Sequence, residues 1–105
     1  MVDDIFEVET ERRPDSVVLR LIGELDLYTA VRLREPVEAA FDAGLDVVFD
    51  LADLVFIDST GIADMARFHK RISAHGRAMR VVRPQPNVFR VLEISGLIGP
   101  LNVER

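Results

Sequence analysis

Residues 45–51, LDVVFDL, limit what this chain can fold into more than any other stretch. Apolar side chains occupy consecutive positions here, so an extended segment would bury both of its faces, as the inner strand of a parallel sheet does. Parallel neighbours cannot be joined by a tight turn; each needs a crossover, normally a helix. The run therefore calls for helical segments on both sides of it, and the sequence supplies them.

Upstream, IFEVETERR (5–13) and SVVLRLIGEL (16–25) alternate apolar and polar residues around a Pro-Asp turn signal, the pattern of a hairpin. From Leu27 the period lengthens: Leu27, Val31, Leu33, Val37, Ala40 and Phe41 recur at three- and four-residue steps and predict one face of a helix ending at Gly44. Pro36 within it would cost roughly 3 kcal/mol in a helix interior, so this helix either kinks there or starts later. Downstream, LVFI (54–57) is a separate short apolar piece. After Gly61, the residues Ile62, Met65, Ala66 and Ile72 predict a second amphipathic helix stopping at Gly76, with Asp64, Arg67, Lys70 and Arg71 largely on its other side. AMRVV (78–82) reads as a strand and RPQPN as a turn into a helix over about 88–94 closed by Gly96. LIGPLNVER is a last short strand or tail. The order β-β-α-β-α-β-α-β describes an α/β fold: a mixed, mostly parallel sheet of about four to five strands covered by about three to four helices.

Length and charge narrow the function. With 105 residues and 49% hydrophobic content, the chain is expected to form a single domain spanning residues 1–105. Its net charge of −5 repels a phosphate backbone, so nucleic acid is not an expected partner. Cysteine is absent, which removes disulfides and thiolate metal sites and suits a reducing compartment. The first residues carry neither a basic nor an apolar leader region, and no apolar run nears the roughly 18 residues of a membrane span. A cytoplasmic protein without a membrane partner is expected.

The stretch FIDSTG (56–61) holds the candidate chemistry. A hydrolase elbow needs a glycine two residues before the serine, where Ile57 stands before Ser59. The two histidines, His69 and His75, lie in or just after the helix that Ser59 itself begins, too far along to fold back as a catalytic base; His69 reads as a boundary side chain, and a pair of histidines without a third ligand makes no metal site. A phosphate loop would need glycines ahead of a lysine, and the single Lys70 is inside a helix. Asp50, with Asp3 and Asp4, invites comparison with an aspartate-phosphorylated receiver domain. No strand precedes the acidic pair and the late lysine is missing, so Asp50 and Asp53 read as strand-end and turn residues. Asp58, Ser59 and Thr60 can each cap a helix N-terminus at about 1 kcal/mol. One cap needs only one of them.

Taken together, GELD (23–26), FIDSTG (56–61) and ISGL (94–97), in this order and spacing, resemble the STAS domain, most closely the small bacterial anti-sigma-factor antagonists. The resemblance implies that an anti-sigma factor that is also a serine kinase binds around this loop and phosphorylates the hydroxyl after the aspartate, here Ser59. It implies binding, and so release of a sigma factor, while Ser59 is unmodified, dissociation once it is phosphorylated, and restoration by a serine phosphatase. The implied contact set is Asp26, Asp58, Ser59, Thr60, Gly61 and Asp64. No cofactor or metal is implied, ATP belonging to the kinase, and the chain would not be an enzyme. Asp26 has a second reading as the cap of the following helix, and Gly61 as either a close-approach point for a partner or the tight entry to the helix. Ser95, Gly96 and Leu97 read as a helix terminus. Other domains of this family are stressosome scaffolds or soluble subunits of lipid-trafficking transporters, in which the same loop docks without being phosphorylated.

Overall fold

The computed structural model describes residues 5–105; Asp3 and Asp4 lie outside the described residues. Phe6–Arg12 (β1) and Ser16–Leu25 (β2) form the expected antiparallel hairpin, with Phe6 opposite Gly23 and Arg12 opposite Val17. Asp46–Ile57 (β3), Met79–Val82 (β4) and Val103–Glu104 (β5) then add one after another, all parallel, giving the order β1-β2-β3-β4-β5. Val31–Asp42 (α1), Ser59–Ala74 (α2) and Pro86–Ile94 (α3) are the crossovers. Because the strands advance steadily in one direction and such crossovers share one hand, all three helices are placed on the same face of the sheet. A single core lies between them, built from residues such as Leu19, Leu21, Phe49, Leu51, Met65, Met79, Val81, Val88 and Leu92.

Residues 45–51 behave as their composition requires, Val47 to Leu51 being buried without a break. The strand continues further than expected, however, and takes in residues 54–57 as well. Two register shifts against β2 explain why the sequence reads as two pieces. Between Arg20 and Ile22, and again between Gly23 and Glu24, β3 supplies one residue more than β2, and each extra residue flips the inward parity. Leu51, Leu54 and Ile57 therefore all face the core at three-residue steps, while Asp53, Val55 and Phe56 are exposed.

The first helix starts later than its apolar spacing suggests. Residues 27–30 are a turn, Leu27 and Val31 are exposed, and Leu33, Val37 and Ala40 are the buried face. Pro36 remains inside the helix as its sixth residue, where it offers no amide to the carbonyl of Arg32. In α2, Met65 and Ile72 are buried as expected, and Phe68, absent from the predicted stripe, stacks on Phe49 at 6.3 Å between ring centroids. Asp64 belongs with the buried residues and not on the outer face; its carboxylate is ion-paired with Arg67 one turn on. After α3, Gly96 adopts φ 73° and the Leu97 amide returns to the Leu92 carbonyl at 2.9 Å, the helix terminus expected of ISGL.

Asp50 is a further correction. It is neither at a strand end nor in a turn but sits within β3, 3% exposed. Its carboxylate is held by Arg83, by the Ala52 amide at 3.1 Å and by Arg20 at 3.5 Å. Burial pushes this carboxyl up, but the hydrogen bonds from Arg83 and Ala52 and the charges of Arg83 and Arg20 outweigh that and leave it below its ordinary value. A depressed carboxyl contributes stability that is complete above the ordinary value, near pH 4, and is lost as the pH falls through the folded value. Asp50→Asn should cost about 1–3 kcal/mol at pH 7, and the gap should narrow as the pH falls below the ordinary carboxylate range, near 4. Urea titrations of both proteins across this range test it; a gap that does not change with pH refutes the assignment.

Candidate functional site

β3 ends at Ile57 and α2 starts two residues later, so Asp58 alone makes the junction. Its backbone is extended (φ −105°, ψ −175°), as an N-cap requires. One carboxylate oxygen, Oδ1, accepts the Gly61 amide at 3.0 Å; the other, Oδ2, accepts the Leu27 amide at 3.1 Å. The Asp58 amide donates to the Leu25 carbonyl at 3.1 Å and its carbonyl receives the Ile62 amide at 3.0 Å. One residue thus caps α2 and ties it to the end of β2.

This arrangement releases the two hydroxyls. Ser59 and Thr60 are the first two residues of α2, where amides have no partner one turn back. Capping is already done by Asp58, and neither hydroxyl makes a hydrogen bond among the described residues. Ser59 is exposed and Thr60 half-buried. An anion attached at Ser59 would meet the positive end of the helix and its unspent amides.

Asp26 stands beside this junction. Its Oδ1 accepts the amides of Tyr28 and Thr29 at 2.8 and 2.9 Å, while the fully buried Thr29 hydroxyl donates to the Glu24 carbonyl at 2.7 Å. The Thr29 amide, foremost among these contacts, holds the Asp26 carboxyl below its ordinary value, so it stays ionised. Asp26 therefore fastens the turn ahead of α1, and the next residue, Leu27, gives its amide to Asp58. Gly61 lies underneath: a Cβ there would stand 2.8 Å from Ile57 Cγ1, 2.9 Å from Leu25 Cγ and 3.1 Å from the Leu25 carbonyl oxygen. The close approach that requires glycine is to the end of β2 in the same chain.

Of the six residues singled out from the sequence, Asp26, Asp58, Ser59 and Thr60 come together at the surface, while Gly61 and Asp64 are buried below it. Sequence reasoning missed the apolar surroundings. A cleft of ≈400 Å³ runs from Asp58 and Ser59 between α2 and α3, walled by Ile57, Ile62, Ala63, Ala66, Val91 and Leu97. On the Leu27 side, next to Asp58, Leu27, Tyr28 and Val31 are 64%, 73% and 56% exposed. Leu27 and Val31 kept helical spacing and so looked like core. Their position ahead of Leu33, beside the hairpin end, was the available signal. Asp58→Ala removes the cap and the link to Leu27 together and should cost about 1–2 kcal/mol, with faster amide exchange at Gly61 and Leu27. Ser59→Ala should stay within about 0.5 kcal/mol of the wild type. Chemical denaturation with exchange measurements checks both, and equal costs would contradict the division of roles.

A model of the STAS domain matches residues 7–104 of this chain. The anti-sigma F factor antagonist of Lysinibacillus sphaericus is 33% identical over 98 residues, covering 90% of this chain and 81% of that protein. Among solved structures, the anti-sigma factor antagonist SpoIIAA in its unphosphorylated form matches with a TM-score of 0.78 at 26% identity, over 96% of this chain and 88% of that one. The phosphorylated form of SpoIIAA, a Bacillus cell fate determinant, matches with a TM-score of 0.72 at 26% identity, over 96% and 91%. With the mixed five-stranded sheet, the one-sided helices and the match over almost all of the described residues, the chain belongs to the STAS domain family.

Proposed function

We propose that this chain is an anti-sigma factor antagonist: unmodified, it binds an anti-sigma factor that is a serine kinase and so frees a sigma factor; phosphorylated on Ser59, it lets go. The observation that carries this reading is the unspent hydroxyl of Ser59, exposed at the start of a helix whose cap is another residue. The relatives named as antagonists support the class of partner. The proposed contact set is Asp26, Asp58, Ser59, Thr60, Gly61 and Asp64, the two buried residues acting by shaping the loop and the first turns of α2. The apolar cleft and Leu27, Tyr28 and Val31 extend it.

The switch is electrostatic and local. A phosphate adds about −1.5 to −2 charges where free amides and the helix dipole favour an anion, so the fold tolerates it. For a docked partner the same charge must be desolvated next to the carboxylates of Asp26 and Asp58, at a cost of several kcal/mol. The likeness of this chain to both the phosphorylated and unphosphorylated forms of SpoIIAA supports a change confined to the site.

Ser59 serves as a phosphate acceptor in this reading and not as a nucleophile. His69 lies ten residues on, about 15 Å along the helix, and His75 further still. Each histidine is engaged within its own helix, His69 with the Ser73 hydroxyl at 3.4 Å and His75 with the Arg71 carbonyl at 3.0 Å. No helix among the described residues is long and apolar enough to cross a membrane. We place the protein in the cytoplasm, where a serine phosphatase would reset it.

Two outcomes are expected. Tagged wild type incubated in host lysate should retain an ATP-binding serine kinase that Ser59→Glu loses, and added ATP should place one phosphate on Ser59, read by peptide mass spectrometry. Retention of the same proteins by both variants would reduce Ser59 to a docking contact. On the isolated protein, phosphorylation should confine amide chemical-shift changes to residues around 26–29 and 57–63, with the circular dichroism and melting transition preserved. A lost or broadened transition would exclude a local switch.

A further inference from the structure

Among the described residues eight large apolar side chains stay exposed, and all eight lie at the end of the molecule where β3 meets α2. The turns at the opposite end, residues 13–15, 43–45 and 75–78, carry none of them. Five of the eight stand just ahead of α1, at its start or on α3, around Ser59. The other three, Ile5, Val55 and Phe56, are 66%, 50% and 44% exposed and have no part in the site built so far.

Strand register carries Ile5 and Phe56 onto the sheet face that the helices leave open. Glu24 precedes the core residue Leu25 and so points away from the helices, as does Phe56, its neighbour on β3. The Ile5 carbonyl accepts the Glu24 amide at 2.8 Å, and Ile5 precedes the core residue Phe6, so it stands on the same face across β2. The next row is Glu7–Ile22–Asp53, with Ile22 half-buried, and Val55 is the extra residue at the second register shift. Ile5, Ile22 and Phe56 therefore make an apolar patch across three adjacent strands, about 10 Å wide. Further down this face Arg20, Arg80 and Arg83 are matched by Glu9, Glu104 and Asp50, so the charges there are spent within the chain. Around the patch they are not. Glu7, Glu24 and Asp53 make no side-chain hydrogen bond or ion pair among the described residues; Asp53 lies in the field of Arg83, but the contact of Arg83 is with Asp50.

We propose that the partner engaged at Ser59 reaches around the end of β3 and seats an apolar side chain, flanked by lysine or arginine, against Phe56, Ile22 and Ile5. An exposed apolar patch rimmed by polar residues is the mark of a protein contact, and the rim selects the occupant. A second copy would set Glu7, Glu24 and Asp53 against carboxylates of its own, whereas a basic rim on a different protein complements them. Phe56 stands two residues before Asp58 on the strand that positions Ser59, so one partner can span both. The inference rests on the antagonist function proposed above and extends it: the helix side of the junction carries the switch, and the open side sets which partner is recognised. The cations it calls for stand on the face opposite the phosphate, so the two act through different contacts.

The test uses the kinase that the tagged wild type retains, purified and titrated with the full chain by calorimetry at about 20 mM and about 0.5 M salt. Phe56→Ser should weaken binding about tenfold or more, with an unchanged melting curve because this ring lies outside the core. Glu24→Gln with Asp53→Asn should weaken it about fivefold at low salt and far less at high salt, where exposed charges are screened. Asp15→Asn with Asp42→Asn, which removes the same charge at the opposite end, should stay within about twofold. In the complex, magnetisation transferred from the kinase should reach the methyl groups of Ile5, Ile22 and Val55. Wild-type affinity in Phe56→Ser, with those methyl groups untouched, would overturn this inference and leave the antagonist function standing. A wild type that retains no kinase would overturn both. Equal weakening by the opposite-end pair would reduce the rim to net charge and overturn it as the selector. Self-association of the chain alone that is lost with Phe56→Ser would overturn the proposal in favour of a second copy.

Discussion

Pairing of β3 on both edges is the constraint from which the rest of this molecule follows. A strand bonded to β2 on one side and β4 on the other can be completed only by crossovers, and crossovers of one hand on a sheet that grows in one direction place every helix on one face. The burial of Val47 through Leu51 on both faces is the energetic expression of that position. The same strand carries two bulges, which carry its inward-facing side from Leu51 to Leu54 and Ile57, and ends with its last core residue immediately before Asp58. Site and scaffold therefore share one element.

That sharing explains how a hydroxyl can be both exposed and well fixed. Asp58 takes its backbone position from the β2–β3 ladder and passes it to α2 through the Gly61 amide and to the α1 side through Leu27. Glycine at position 61 lets the first turn of α2 rest directly on Leu25. Ser59 inherits the rigidity of this junction and adds no side-chain hydrogen bond to it, an arrangement that suits the phosphate switch proposed above. The apolar surface around it is of the kind that marks a protein partner when it exceeds scattered single residues.

The two sides of the sheet are chemically unlike because only one is covered by helices. Beneath the helices Leu19, Phe49 and Val81 pack in register; on the other face the neighbouring positions hold Arg20, Asp50 and Val82. An aspartate within a central strand is costly unless paired. Here Arg20 from the adjacent strand and Arg83 from the loop after β4 supply the compensation. Arg83 does so from a left-handed backbone, φ 56°, a conformation ordinary side chains adopt rarely.

Much of this was legible in the sequence, because local periodicity and turn chemistry act through near neighbours. The hairpin, the doubly buried run at 45–51, the helix terminus at Gly96 and the junction at Asp58–Gly61 all follow from side chains within a few residues of one another. The STAS-like motifs likewise marked Ser59. The departures turn on how whole elements pack against one another. Asp64 shares the spacing of an outward residue, and only the packing of α2 turns it inward with Arg67 as its partner. Leu27 and Val31 share the spacing of core residues, but the tie from Leu27 to Asp58, 31 positions away, holds their turn at the surface. Asp50 looked like a strand end because the pairing that continues β3 past it, and the arginines that neutralise it, come from β2 and the β4 loop. The sequence by itself determined the order of strands and helices and where the exposed serine hydroxyl stands. Tertiary structure alone decided which apolar residues remain outside, which carboxylates go inside and which sheet face stays open, because those depend on what other elements leave uncovered.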